Sequence, residues 1–132
     1  MFKKHIFKIL LIGWLVLITL LSLFSLSELP KVEVQLSFGD KIVHAVFYAF
    51  LTIFCYLFML VEWQKYKKRR TLLVSSVLSF IYGMIIEGLQ YVLPYKRSAD
   101  WFDVLANSLG VFLAILVIRC IIDRNKALKT IN

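Results

Sequence analysis

Charge and cysteine are both scarce in this chain, and each scarcity removes a class of protein. Only 18% of its 132 residues are charged and eight are acidic, against 61% hydrophobic and 15% aromatic. Soluble globular domains carry about a quarter charged residues, so this balance falls outside them. The two cysteines, Cys55 and Cys120, have no CxxC spacing, which excludes a disulfide framework or a cysteine metal cluster. Both lie in apolar runs and are expected to be small buried hydrophobes. Only two prolines interrupt the chain. What remains is the composition of a membrane protein. The net charge of +8 would suit nucleic acid, but its basic residues lie between apolar spans. There they set topology or touch anionic lipid, and nucleic-acid binding is set aside.

Four spans follow from the hydrophobic runs. Residues 9–27 come after Lys3, Lys4 and Lys8 and are long enough to cross a hydrocarbon core of about 30 Å. The rival reading is a signal peptide ending near Ser25 and Ser27, but the run exceeds the usual apolar length of roughly 7–15 residues, which favours a retained helix. Residues 28–41 then form a loop in which Val32, Val34, Leu36 and Phe38 alternate with Glu33, Gln35 and Ser37. A lone strand is not stable, so the segment is expected to lie at the interface, with Gly39-Asp40 supplying a turn and a helix cap. The second span, about 41–61, carries His44, Tyr48 and Cys55 on one face and leaves the membrane at Trp63 and Tyr66. After the basic run KYKKRR, the third span covers about 71–93, with Ser76, Ser79, Gly83, Glu87 and Gln90 along one stripe. The fourth, about 103–122, repeats that pattern with Asp103, Asn107, Gly110 and Ala114. Such stripes of small and polar residues are how membrane helices pack on one another. The expected fold is therefore a single domain, an all-α integral membrane protein of four transmembrane helices.

Orientation follows from the basic residues. The N-terminus, the 65–70 loop and the C-terminal tail hold twelve of the sixteen Lys and Arg residues. The positive-inside rule then places both termini in the cytoplasm and loops 28–41 and 94–102 outside.

This topology brings His44, Glu87, Gln90 and Asn107 to one depth in the outer leaflet, with Asp40, Lys41, Lys96, Arg97, Asp100 and Asp103 just above them. Two helices begin there, and their N-terminal dipoles favour an anion such as a phosphate. Each residue taken alone has a simpler explanation. Asp40, Asp100 and Asp103 suit helix caps or first turns, Tyr48 and Gln90 suit helix–helix contacts, and His44 has Asp40 as a partner one turn away. Glu87 is different. It lies about 9 Å of helix inside its span, where a charge costs roughly 2.5–3.5 kcal/mol on insertion scales, and capping does not account for it. Arg97 or protonated His44 is the expected cation beside it.

The pattern Asp40-Lys41-x-x-His44-x-x-x-Tyr48, then Glu87-x-x-Gln90, Pro94-x-x-Arg97, Asp103 and Asn107-x-x-Gly110 resembles the VanZ-like membrane proteins. The likeness spans nearly all of the chain after the first span, which contributes only hydrophobicity. It implies a small four-helix bacterial membrane protein of a family named for a member associated with low-level teicoplanin resistance, with no established biochemical activity. The family's polar positions correspond to Asp40, Lys41, His44, Glu87, Gln90, Arg97, Asp103 and Asn107. The small residues usual after its Asn-x-x-Gly are replaced by Val111 and Phe112.

Two functions compete. In the first, a multi-pass protein of the bacterial cytoplasmic membrane binds or alters an amphiphile of the outer leaflet, such as a membrane lipid or a lipid-linked wall precursor. Lys41 and Arg97 would meet an anionic headgroup, His44 and Glu87 would act as an acid/base pair, and Asp40, Tyr48, Gln90, Asp100, Asp103 and Asn107 would line the site. No cofactor is expected. A divalent metal on His44 and the carboxylates is a lesser option because no strong metal spacing is present. In the second, the polar cluster fixes the bundle, and the protein acts without catalysis through another envelope protein or as an oligomer. Ion transport is a weaker third reading, since only Ser76 and Ser79 extend the polar stripe toward the cytoplasmic side.

Overall fold

The computed structural model describes residues 2–23, 36–63, 67–93 and 101–131. They form four helices: α1 (Phe2–Leu23), α2 (Leu36–Glu62), α3 (Lys68–Val92) and α4 (Trp101–Ile131). All four are long and apolar enough to cross a membrane. The helices extend past the apolar runs because backbone hydrogen bonding does not stop where hydrophobicity does, and Lys, Arg and Glu are good helix formers in the flanking turns. At the start of α2 the helix takes in the end of the alternating segment, Leu36 to Phe38, and the expected turn and cap at Gly39-Asp40 is corrected. The α2 helix already begins at Leu36, so Asp40 stands in its second turn, past the N-cap position. Residues 32–35 of the alternating segment lie outside the described residues.

Helices α1 and α3 run one way and α2 and α4 the other, so the ends of the bundle differ. At one end the start of α1 meets the end of α2, where Lys4 Nζ bonds Glu62 Oε2 at 2.7 Å. Lys68, Arg69 and Arg70 open α3 at this basic end, and Arg119 and Arg124 lie in the last part of α4. The opposite end holds Asp40, Lys41, His44, Glu87, Asp103 and Asn107.

Packing is inverted relative to a soluble protein. The stripe Ser76, Ser79, Gly83, Glu87 and Gln90 is buried along α3, while Leu73, Val77, Ile81 and Ile85 of the same helix are exposed. Lipid is as apolar as Leu, so nothing drives those side chains inward, whereas polar groups gain by meeting one another. The α2 helix packs against the other three and most extensively against α4. One core cluster joins Ile18, Tyr48, Leu51 and Val111, and a second, nearer the basic end, joins Tyr56, Leu72, Ile118 and Ile122. Cys55 is buried as expected, but Cys120 is exposed. It shares a run with apolar residues and faces away from the helix contacts. Val111 fills the first cluster and Phe112 turns outward, so the departure from the small family residues leaves the α2–α4 contact closed.

Candidate functional site

Three helices each present a ladder of residues one turn apart, and the ladders meet. On α2 it is Asp40, His44 and Tyr48; on α3, Gly83 and Glu87; on α4, Asp103, Asn107 and Val111. Positions i and i+4 share a helix face, which is why these spacings survive into three dimensions. His44, Tyr48, Glu87, Gln90, Asp103 and Asn107 are all buried.

The centre is a chain of three side chains from three helices. Asn107 Nδ2 donates to Glu87 Oε1 at 3.3 Å, and Asn107 Oδ1 lies 3.1 Å from His44 Nδ1. His44 Nδ1 is itself 3.9 Å from Glu87 Oε1. The amide thus turns its NH₂ to Glu87 and leaves its oxygen, which can only accept, for His44. The imidazole then carries its proton on Nδ1. Its other nitrogen, Nε2, faces out of the bundle, 3.9 Å from Asp40 Oδ2. The Asp40 side chain is 43% exposed, so that direction leads to the surface.

Around this mouth Lys41 Nζ lies 3.9 Å from Asp103 Oδ1 and 5.5 Å from the centre of the Phe102 ring. Trp101 and Phe102 are largely exposed at the start of α4, as aromatics are where a span enters the headgroup layer. Asp103 occupies the first turn of α4, where its charge suits the helix dipole. Among the described residues, the set whose ligand atoms gather closely enough for a metal ion is Asp40, His44 and Asp103, within 4.8 Å of one another. Imidazole and carboxylate donors suit a divalent cation, but the Lys41 ammonium already brings positive charge to Asp103.

Tyr48 lies deeper. Its ring packs on Gly83, where an added Cβ would stand 3.0 Å from Cε1 of the ring and 3.5 Å from Asn107 Nδ2. The phenol is wholly buried, and its hydroxyl has no hydrogen-bond partner among the described residues. A buried, unsatisfied hydroxyl costs about 1–3 kcal/mol, which a water or a ligand oxygen would relieve.

Gln90 does other work. Its Nε2 donates to the Ser22 carbonyl of α1 at 2.7 Å, a bond that ties α3 to α1 instead of lining the mouth. Arg97 and Asp100 fall outside the described residues. Three contacts had no counterpart in the sequence reading. Tyr82 Oη donates to the Leu15 carbonyl at 3.1 Å and meets Thr19 Oγ1 at 2.5 Å, and Trp14 Nε1 donates to the Phe47 carbonyl at 3.0 Å. A polar aromatic in mid-span was the available signal for Tyr82 and Trp14; their carbonyl acceptors have none. Thr52, Thr71 and Ser75 are further buried polar residues toward the basic end. Their hydroxyls bond carbonyls three or four residues earlier in the chain, at Tyr48, Lys67 and Leu72, so they add no polar path across the bundle.

A family model described as VanZ/LLP1 matches residues 6–122. Neither the curated proteins nor the solved structures contain a match to this chain.

Proposed function

We propose that this chain, which belongs to the VanZ/LLP1 family, recognises the anionic headgroup of an amphiphile at the end of the bundle where His44, Glu87 and Asn107 meet. The observation that carries the reading is the orientation of His44. Asn107 and Glu87 hold its Nδ1 from behind, and Nε2 is directed to a half-exposed mouth. A base oriented by a second group and backed by a third is the arrangement that proton transfer requires. In this reading Glu87 and Asn107 are positioning residues. His44 Nε2 takes up or gives a proton at the ligand, Lys41 attracts the headgroup, and Asp40 and Asp103 border the mouth. The Tyr48 hydroxyl supplies a further polar group below, and Arg97 is a second cation for the headgroup.

The excess of Lys and Arg at the other end supports a cytoplasmic placement of that end, with both termini inside and the site in the outer leaflet of the bacterial cytoplasmic membrane. A lipid or a lipid-linked wall precursor is then the class of ligand within reach. Family likeness supports a link to teicoplanin tolerance.

The test is mass spectrometry of lipids that co-purify with the full chain. Wild type is expected to retain an anionic amphiphile that Lys41→Gln and Arg97→Gln lose while remaining folded. Equal lipid content in all three would sink the reading.

A second reading has its own support. The Gln90–Ser22 bond and the burial of Asn107 fit a network that only holds helices together. Under it, His44→Gln would lower stability and leave lipid content and any teicoplanin phenotype proportional to the amount of folded protein. Under the first, His44→Gln would abolish the phenotype at normal abundance.

A further inference from the structure

Far from the His44 site, near the basic end, α3 and α4 part to leave a cavity of about 320 Å³. That is within the range of small-ligand sites. Its floor is apolar: Leu72 and Ile122 are buried there, and Ile115 lines it higher up. Leu73, 65% exposed, forms the rim on the lipid-facing side. The wall offers little to a polar ligand, because Ser76, which also lines it, returns its hydroxyl to the Leu72 carbonyl of its own helix at 2.8 Å. The exceptions are two guanidiniums, Arg69 from the first turn of α3 and Arg119 from α4.

Arg119 is an unusual residue for its place. It lies inside the candidate span Trp101–Ile122, one turn before its end. A charge at such a depth is costly unless it reaches the interface or finds a counter-charge. Among the described residues no carboxylate pairs with Arg119 or Arg69. An apolar slot open to lipid and topped by two fork-shaped cations matches the two halves of an anionic phospholipid. One acyl chain would fill the slot and the phosphate would bridge the arginines, whose planar donors bind phosphate in pairs.

We propose that the groove between α3 and α4 is a binding site for one anionic phospholipid, with Arg69 and Arg119 on its phosphate and an acyl chain on Leu72, Ile115 and Ile122. The site is independent of the proposed function of the opposite end.

The test titrates phosphatidylglycerol and phosphatidylcholine of identical chains into the detergent-solubilised full chain, reading thermal midpoint and lipid retained in native mass spectra. Phosphatidylglycerol should bind saturably at one copy and be preferred by roughly ten- to thirty-fold, the scale of two cations near a membrane surface. Arg69→Gln with Arg119→Gln should erase that preference, and Arg119→Gln alone, at an exposed position, should reduce it if the double variant folds poorly. Leu73→Trp, which closes the rim and keeps both charges, should also erase it. Lys67→Gln with Lys68→Gln removes as much charge outside the groove and should leave it intact. The proposal is overturned if the lysine variant loses as much preference as the arginine variant, if Leu73→Trp changes nothing, or if inorganic phosphate stabilises as well as the lipid.

Discussion

Gly110 of α4 rests directly on the backbone of Ala45 in α2, so closely that a Cβ at Gly110 would run into the Ala45 carbonyl. Ala45 follows His44, and Gly110 comes one turn after Asn107. The contact therefore sets the height at which the histidine and the amide meet. Main chain cannot swing aside as a side chain does, so the cost of filling this gap falls on the helix pair as a whole.

Substituting Gly110 by Ala should thus lower stability by at least about 1–3 kcal/mol, the usual penalty of overpacking. At Gly83 the neighbour is the Tyr48 ring edge, which can tilt, and Gly83→Ala should cost less. Leu at either glycine should reduce folded yield in detergent far more than Leu at the exposed Val77. Thermal midpoints of the five variants check the order, and equal tolerance would mean that the two glycines are not contact points.

Asn107 joins Glu87 to His44, which makes the three a unit with measurable coupling. Asn107→Ala should leave buried groups short of a bond at a cost of about 1–3 kcal/mol. A double-mutant cycle with Glu87→Gln should show a coupling of roughly 0.5–3 kcal/mol, as contacting residues do. Unfolding in mixed micelles supplies the numbers. Additivity would mean that the amide does not bridge them.

Tyr48→Phe separates structure from recognition more cleanly than any truncation. The ring fills the core and its hydroxyl bonds no described residue, so removing the oxygen should leave stability unchanged or slightly raised. If the hydroxyl serves a bound headgroup, the same variant should retain less of the co-purifying amphiphile. Unchanged lipid content would exclude Tyr48 from the site.

The depth of His44, Glu87 and Asn107 could be read in advance because each lies a fixed number of turns from a recognisable end of an apolar run. Helix spacing did the rest, placing Tyr48, Gly83 and Gly110 on the inner faces. The role of Gln90 could not be read. Its partner is a main-chain carbonyl at Ser22, and every residue carries one. Asp40 looks like a cap in the sequence because turn residues such as Gly39-Asp40 resemble a helix start, yet α2 begins a turn earlier. Cys120 illustrates a limit of composition: an apolar run contains both helix-facing and lipid-facing positions, and hydrophobicity does not tell them apart.

Orientation is testable independently of any ligand. In a background lacking Cys55 and Cys120, cysteines at Ser37 and Ser98 should react with an impermeant thiol reagent on intact cells, and one at Lys67 should be protected. The motive is the asymmetry of Lys and Arg between the two ends. The opposite labelling pattern would invert the molecule and move the His44 site to the cytoplasmic leaflet.

The attachment of α1 has a consequence for how this fold tolerates change. Tyr82 and Gln90, eight residues apart on α3, bond the carbonyls of Leu15 and Ser22, seven apart on the parallel α1. Each helical carbonyl has a second lone pair to offer whatever side chain stands beside it. The bonds that tie the first helix to the third are thus written largely in the third, and Leu15 and Ser22 can be replaced by other residues without erasing those two handholds. A foreign transmembrane helix grafted in its place would keep these two acceptors while losing the Trp14 bond to the Phe47 carbonyl of α2, whereas changing Gln90 to Leu would remove a rung that no revision of α1 restores.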